Sequence, residues 1–435
     1  MALHLLKLIW NRKRSNFLII TEILLSFLVL AAVTTVALHY WRNYQAPLGF
    51  TYERIWDVVV RVPRGLDSTP DEDRERLARF QRLIDAARQM PEVESVAHVL
   101  MPSFRNWQWN SDIELPDGRR VEFNGNRAGD ELAETLAIPV VDGRWFSRED
   151  AGQNWEAVVL NASMAREIFG SEQAAGRMMP RRDTPPNPGD GPPDRPQRVV
   201  GVIQDYRQFG EYSTPGNYMF VRNDIVSAAT PPAADEADAS VAHPSPAATR
   251  ERVGADIPGA IVVRVRPGVT AAFEERLVTS LQGIAPDWGV VMKPVESVRT
   301  QYLRDNYLTP LVIMGMVAGF LLVMVALGLS GVLWQNVTQR IRELGLRRAK
   351  GADRARIRQQ IFLELMIMTG IAVIGGLALL VQVPVLGWLG AIPGPVFTTS
   401  LMLAAVLLFA LTSFCGWYPS LLATRIPPAE ALRYE

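Results

Sequence analysis

Charged and apolar positions are segregated along this chain. Residues 17–38, 308–334, 361–383 and 396–422 are almost wholly apolar. As helices, each is long enough to cross a hydrocarbon layer about 30 Å thick. Residues 39–307 hold no run of that length; short apolar stretches there alternate with charged and turn-forming positions. The pattern predicts four transmembrane helices, with one large folded domain between the first and the second.

Inside that domain the periodicity switches between strand and helix. Residues 56–62 read as a strand. Thr69-Pro70-Asp71-Glu72 is a capping box with proline at the first helical position. The helix that follows sets Leu77, Phe80, Leu83, Ile84 and Ala87 on one face before Pro91, and residues 93–101 read as a second strand. The unit recurs at the far end, with a strand at 260–265, a helix at 271–281 turning Phe273, Leu277 and Leu281 inward, and a strand at 289–295. Two such units around an insertion predict a split ferredoxin-like sandwich, its halves near 52–102 and 259–296.

The insertion, near 103–226, reads as a mixed α/β subdomain. Apolar positions at 113–115 and 121–123 flank Pro116-Asp117-Gly118, a hairpin signal. A short helix at 132–136, a strand at 157–160, a helix at 163–169 ended by Gly170 and a strand at 199–206 follow. Residues 180–197 and 227–258 are rich in Pro, Ala, Asp and Arg or acids and are expected to be disordered loops. The expected fold class is therefore an α-helical membrane protein with four transmembrane helices plus a large α+β domain.

Charge sets the orientation. Overall it is zero, which gives no field for nucleic acid, but arginine crowds the segments beside the apolar runs. Residues 1–16 place Leu3, Leu5, Leu6, Leu8, Ile9 and Trp10 ahead of Asn11-Arg12-Lys13-Arg14 and read as an interfacial helix. Residues 335–360 carry Arg340, Arg342, Arg347, Arg348 and Lys350 against Glu343, then Arg354, Arg356 and Arg358. The tail at 423–435 holds Arg425 and Arg433. By the positive-inside rule these three segments are cytoplasmic, which puts the large domain at 39–307 and the short loop at 384–395 outside.

Within the apolar runs, Glu22 either reaches a nearby interface or makes a contact in the helix bundle, and Glu364 lies near the cytoplasmic start of its span. Gly375-Gly376 suits close helix approach. A helix beginning at Glu296 is expected to run unbroken through Tyr302 and Tyr307 into the second span, as far as Pro310.

Candidate chemistry is sparse. The only lysines are Lys7, Lys13, Lys293 and Lys350, none followed by Ser or Thr, so no P-loop G-K-[ST] can be written. His4, His39, His98 and His243 lack metal-ligand spacing, and the lone Cys415 can form no internal disulfide. Asp205 and Arg144 have no nucleophile or base at a recognisable spacing. Asn161-Ala162-Ser163 is a formal glycosylation sequon that reads as chance. The apolar run after Arg14 is too long for a cleavable signal peptide.

The stretch R-I-R-E-L-G-L-R-R-A-K-G-A at 340–352 could serve topology alone. It also resembles the cytoplasmic coupling element of MacB/FtsX-type (type VII) ABC transporter permeases, R-x-R-E-x-G-x-x-R-A-x-G-A. Arg340, Arg342, Glu343, Gly345, Arg348, Ala349, Gly351 and Ala352 match it. The tail P-P-A-E-A-L-R-Y-E and the strings G-R-W-F, V-V-L-N-A-S-M-A-R-E-I-F-G and V-V-G-V-I-Q-D are similar to the same family.

The resemblance implies a multi-pass protein of the bacterial inner membrane, with both termini cytoplasmic and the large domain periplasmic. It implies a permease subunit without fused ATPase, working with an ABC ATPase dimer and a second permease, identical or paralogous, and with room for a periplasmic adaptor. ATP and Mg would sit on that ATPase, with no catalytic residue, cofactor or metal on this chain. The family's action is mechanotransmission, here directed at efflux of periplasmic compounds such as antibiotics or peptides; lipoprotein extraction is the alternative within the family. A membrane signal receptor with an extracytoplasmic sensor domain is the alternative of another class, and it would need a cytoplasmic output domain.

Overall fold

The computed structural model describes residues 13–63, 69–180, 196–225, 257–269, 271–339, 353–387 and 392–423. The chain forms two compact units, residues 43–307 and a helical unit drawn from both ends of the chain. The two expected disordered loops, the expected interfacial helix at 1–16, the stretch at 340–352 and the tail at 423–435 fall wholly or mostly outside the described residues; residues 13–16 belong to the first long helix and Ala423 to the last.

In the folded domain, β1 (Ile55–Arg61), α2 (Pro70–Arg88) and β2 (Val93–Val99) form the first half, and β9 (Ala260–Val265), α5 (Ala271–Ile284) and β10 (Gly289–Pro294) the second. The strands lie in the order β10-β1-β9-β2, every neighbouring pair antiparallel. This is the ferredoxin-like arrangement, split by the chain between β2 and β9. Alternation along the strands explains why they are apolar on both sides. Trp56, Val58, Val60, Ile261 and Val263 face α2 and α5, where Leu77, Phe80, Leu83, Phe273 and Leu277 meet them. Ile55, Ala97, Val99 and Val262 face the other way, onto Phe50, Phe104, Leu132 and Leu136. The start of α2 is fixed locally. Thr69 Oγ1 accepts from the amide of Glu72 at 3.3 Å, and Glu72 Oε2 accepts from the amide of Thr69 at 2.8 Å.

The insertion carries β3 (Asn110–Glu114), β4 (Arg120–Ala128), α3 (Leu132–Leu136), β5 (Val140–Gly143), β6 (Glu156–Asn161), α4 (Ala162–Phe169), β7 (Gln197–Ile203) and β8 (Tyr218–Arg222). Its strands extend the same sheet in the order β4-β8-β6-β7-β5, joined to β2 through the single pair Val99 and Ala128, with β3 hairpinned onto β4. Gly118 takes φ 81° in that hairpin turn, a conformation costly for a side chain. Two strands escaped the sequence reading. β5 is only four residues long and lies at the end of the sheet. β8 is a five-residue run set between β4 and β6, parallel to one and antiparallel to the other.

Among the described residues, four helices are long and apolar enough to cross a membrane, over Phe17–Gln45, Val295–Gly328, Arg358–Val385 and Gly394–Trp417. The corresponding elements are α1 (Lys13–Gln45), α6 (Val295–Leu303) with α7 (Thr309–Gln339), α8 (Arg354–Leu380) and α10 (Gly394–Ala423), with α9 (Gln382–Val385) a single turn after α8. Two boundaries differ from expectation. α1 continues to Gln45, past the expected end of the apolar run at residue 38; in this last part Trp41, Arg42 and Tyr44 are exposed while His39 and Asn43 are buried. The helix into the second span is not uniform either. Residues Arg304–Leu308 form a π-helical turn between α6 and α7. Pro310 supplies the reason: its ring crowds the carbonyl four residues back, and a wider turn there relieves the crowding.

Candidate functional site

The eight positions expected to seat an ATPase, Arg340, Arg342, Glu343, Gly345, Arg348, Ala349, Gly351 and Ala352, lie outside the described residues. What is described is the frame around them. α7 ends at Gln339 and α8 begins at Arg354, so both flanks of the stretch are long helices. On the first turns of α8, Arg356 and Arg358 are exposed, and Arg358 lies over the ring of Trp417 in α10, 6.0 Å from its centroid. That is cation–π range, and it ties the basic start of α8 to the end of α10.

The helical unit packs around Ile19, Ile23, Phe27 and Ala31 of α1, Leu365, Met368 and Ala372 of α8, and Leu401, Ala404 and Leu408 of α10. At Gly376 the backbone of α8 lies against α1: a Cβ there would overlap Phe27 Cδ1, whereas one at Gly375 would meet only Leu24 Cδ1 at an ordinary 3.9 Å. Of the paired glycines, the packing uses the second. Gly416 is similar, since a Cβ there would overlap Leu365 Cδ2.

Both apolar-segment acids point into this unit. The Glu22 carboxylate lies against Gly328 of α7, in the space a side chain at that position would fill. Glu364 is buried, and its Oε1 accepts from Gln360 Nε2 at 3.2 Å. A third polar group was not anticipated. Thr35 Oγ1 and Ser400 Oγ stand 2.6 Å apart between α1 and α10, both buried, and Thr34 Oγ1 donates to the Ser400 carbonyl at 3.2 Å. Single hydroxyls in apolar runs are common, so nothing in the sequence marked these as partners.

In the folded domain the polar residues noted in the sequence are structural. Arg144 grips Asp150 through both terminal nitrogens at 2.6 and 2.7 Å. Asp205 Oδ1 accepts from Asn161 Nδ2 at 3.0 Å and from the amide of Ser163 at 2.9 Å, at the start of α4. Asn161 itself is fully buried and caps α4 through Met164, so the sequon is a helix cap. Among the described residues no group of His, Cys, Asp and Glu could hold a metal. Asp57 is buried against Arg105, with Nη2 to Oδ2 at 2.6 Å; burial still pushes its carboxyl above the usual range.

Two family models match the chain. One describes a MacB-like periplasmic core domain and covers residues 19–280; the other describes an FtsX-like permease C-terminal region and covers residues 315–428. The macrolide export ATP-binding/permease protein MacB of Bdellovibrio bacteriovorus is 26% identical over 310 residues, which are 67% of this chain and 41% of that protein. The ABC transporter permease YvrN of Bacillus subtilis is 24% identical over 315 residues, 70% of this chain and 69% of that one. The periplasmic region of MacB from Actinobacillus actinomycetemcomitans aligns at a TM-score of 0.35 and 12% identity, covering 60% of this chain and 97% of that structure. This chain spans about half or less of the length of the MacB proteins it matches. With the first family model covering more than half of the 435 residues, the chain belongs to the MacB/FtsX family of ABC transporter permeases.

Proposed function

We propose that this chain is a transport permease whose folded domain is moved by ATP hydrolysis on a separate ABC ATPase, a process of mechanotransmission directed at efflux. The observation that carries the reading is the pairing of the two family matches with the helix pattern. The MacB-like match at 19–280 takes in the first apolar helix and most of the folded domain, and the FtsX-like match at 315–428 takes in most of the other three helices. No P-loop G-K-[ST] can be written in this sequence, so the reading assigns ATP hydrolysis to a partner. The chain does have a basic stretch between α7 and α8, at 340–352, suited to docking a partner.

In this reading the chain lies in the inner membrane with both termini cytoplasmic and residues 43–307 on the far side. Two ATPase subunits and a second permease complete the machine, ATP and Mg stay on the ATPase, and an adaptor beyond the membrane is compatible with it. Arg340, Arg342, Glu343, Gly345, Arg348, Ala349, Gly351 and Ala352 form the ATPase seat. Periplasmic compounds such as antibiotics or peptides are the substrates in this reading, which the match to relatives named for macrolide export supports.

The test is reconstitution. The full chain is purified from its native membrane with whatever ABC ATPase accompanies it, and ATP hydrolysis is measured with and without the permease. Permease-dependent stimulation is expected. If no ABC ATPase copurifies and none encoded beside it is stimulated, the reading is wrong.

A further inference from the structure

The folded domain is entered by the last turn of α1 and left through α6 and the π turn, and one loop holds both. That loop runs from Asp205 to Asn217, between β7 and β8. Its centre is Arg207, only 2% exposed. The guanidinium donates from Nη1 to the carbonyls of Asn43 at 2.8 Å and Ala46 at 3.0 Å, and from Nη2 to the carbonyls of Glu211 and Ser213. Asn43 and Ala46 sit at the C-terminal end of α1, where the helix dipole favours a cation. Burial pulls the Arg207 pKa down, but a guanidinium starts so high that it keeps its charge. A buried cation is thus held by carbonyls drawn from the helix end and from the loop alike.

The same loop grips α6 from its other side. Glu211 Oε1 accepts from Arg299 Nε at 2.6 Å, and both side chains are largely buried. Gly210 takes φ 88°, and a Cβ there would come within 2.9 Å of Leu303 Cδ2, so the loop backbone lies directly on α6. Tyr212 closes the arrangement. Its ring stands 5.6 Å from that of Tyr44 in α1 and 5.6 Å from that of Tyr307 in the π turn, and its carbonyl accepts from Asn43 Nδ2 at 3.0 Å.

We propose that Arg207 and its loop are a clamp that makes the entering and leaving segments of the folded domain, residues 43–46 and 299–307, move as one body. This rests on the mechanotransmission reading above and names the joint that reading needs. Motion delivered along only one of two independent tethers would be absorbed by bending the other. Bound by four carbonyls, one ion pair and a three-ring stack, the two tethers instead deliver a single displacement to the sheet. Arg207 is a positioning residue in this scheme, and a planar five-donor group is what four diverging carbonyls require; lysine presents three donors from one point.

Hydrogen exchange on the full chain in lipid nanodiscs tests the clamp without any ATPase. In Arg207→Gln, the amides of residues 44–48 and of 299–303 are expected to lose protection together, by tenfold or more, while β1 and β9 keep theirs. Arg207→Lys should recover only part of the protection. Loss confined to 207–213 or to one tether, or a uniform loss through β1 and β9, would overturn the proposal. If Arg207→Gln does not fold, Tyr212→Leu asks the same question through the ring stack, with the same two outcomes. In a reconstituted complex, a loosened clamp should leave permease-stimulated hydrolysis in place and lower the transport obtained per ATP. Unchanged coupling in a variant whose tethers both exchange fast sinks the mechanical role. A wild-type chain that stimulates no ATPase speaks against the proposed function instead, and leaves the exchange result intact.

Discussion

Phe27 of α1 lies where a side chain at position 376 of α8 would have to go. The contact is between a ring edge and a glycine backbone, so it allows no flexible escape. Gly376→Val should overpack this interface and cost about 1–3 kcal/mol, whereas Gly375→Ala should be near neutral. Thermal unfolding of the chain in detergent reads the difference, and Phe27→Leu should restore part of the loss in the Gly376 variant. Equal sensitivity at the two glycines would contradict this packing.

Thr35 and Ser400 offer a second check on the same unit. A hydrogen bond between helices in an apolar surrounding averages about 0.6 kcal/mol by double-mutant cycle. Thr35→Val and Ser400→Ala should therefore show a coupling of that order and sign. A coupling of zero would mean that each hydroxyl donates instead to a backbone carbonyl of its own preceding turn, which lies within reach of both.

The folded domain should carry a pH signature from His98. The ring is buried against Gly129, with Nε2 3.0 Å from the carbonyl of Asn223 and with Asp130, Asp224 and Arg222 around it. Burial pushes its pKa down to about 4, from an unfolded value of about 6.5. Below pH 6.5 the unfolded chain takes up a proton that the folded domain refuses until about pH 4. Stability is therefore full above that window, declines through it as pH falls by up to about 1.4 kcal/mol per unit, and levels off beneath it. Urea midpoints of wild type and His98→Gln between pH 4 and 8 should show a slope that the variant lacks.

Asp57 and Arg105 predict an asymmetry between two deletions. Asp57 is 2% exposed, and among the described residues its Oδ1 has no hydrogen-bond partner and Arg105 alone compensates its charge. Removing one partner of such a buried pair costs about 3–5 kcal/mol. Arg105→Ala should show a loss of that order by chemical denaturation, and adding Asp57→Asn should return a large part of it. If the double variant is as unstable as the single one, charge burial is not the cause.

Glu343 lies outside the described residues, and its role as part of the ATPase seat is a proposal. Truncating one member of a desolvated charge pair at an interface costs about 2–5 kcal/mol. Glu343→Lys should weaken ATPase association or uncouple hydrolysis from transport. Membrane insertion should be spared, since the change only adds positive charge to a basic stretch. Wild-type stimulation in a well-inserted Glu343→Lys protein would show that the stretch fixes topology alone.

Local rules settled much of this molecule. The capping box at Thr69 and Glu72, the proline behind it and the apolar face at Leu77, Phe80 and Leu83 suffice to place α2, because each acts within a few residues. The repeat of that unit at β9 and α5 is legible for the same reason, and with it the split ferredoxin-like order of the strands. Apolar length sets the four long helices. β8 shows where this stops. Five residues carry no period that separates a strand from a loop, and Tyr218–Arg222 is a strand because β4 and β6 offer backbone partners on both sides.

The long-range polar contacts belong to the tertiary structure alone. Nothing near Arg207 in sequence foretells that its donors meet carbonyls at positions 43 and 46, more than 150 residues away in the chain. Which of Gly375 and Gly376 is needed depends on the rotation of α8 against α1, and that rotation is set by Leu365, Met368 and Ala372 packing on a neighbour. The sequence determined which segments are helix, strand or membrane-length because those choices turn on local sterics, capping and apolar run length. Only the tertiary structure decided which buried polar groups meet, because a lone Arg, Thr or Glu acquires a partner from the packing of distant elements.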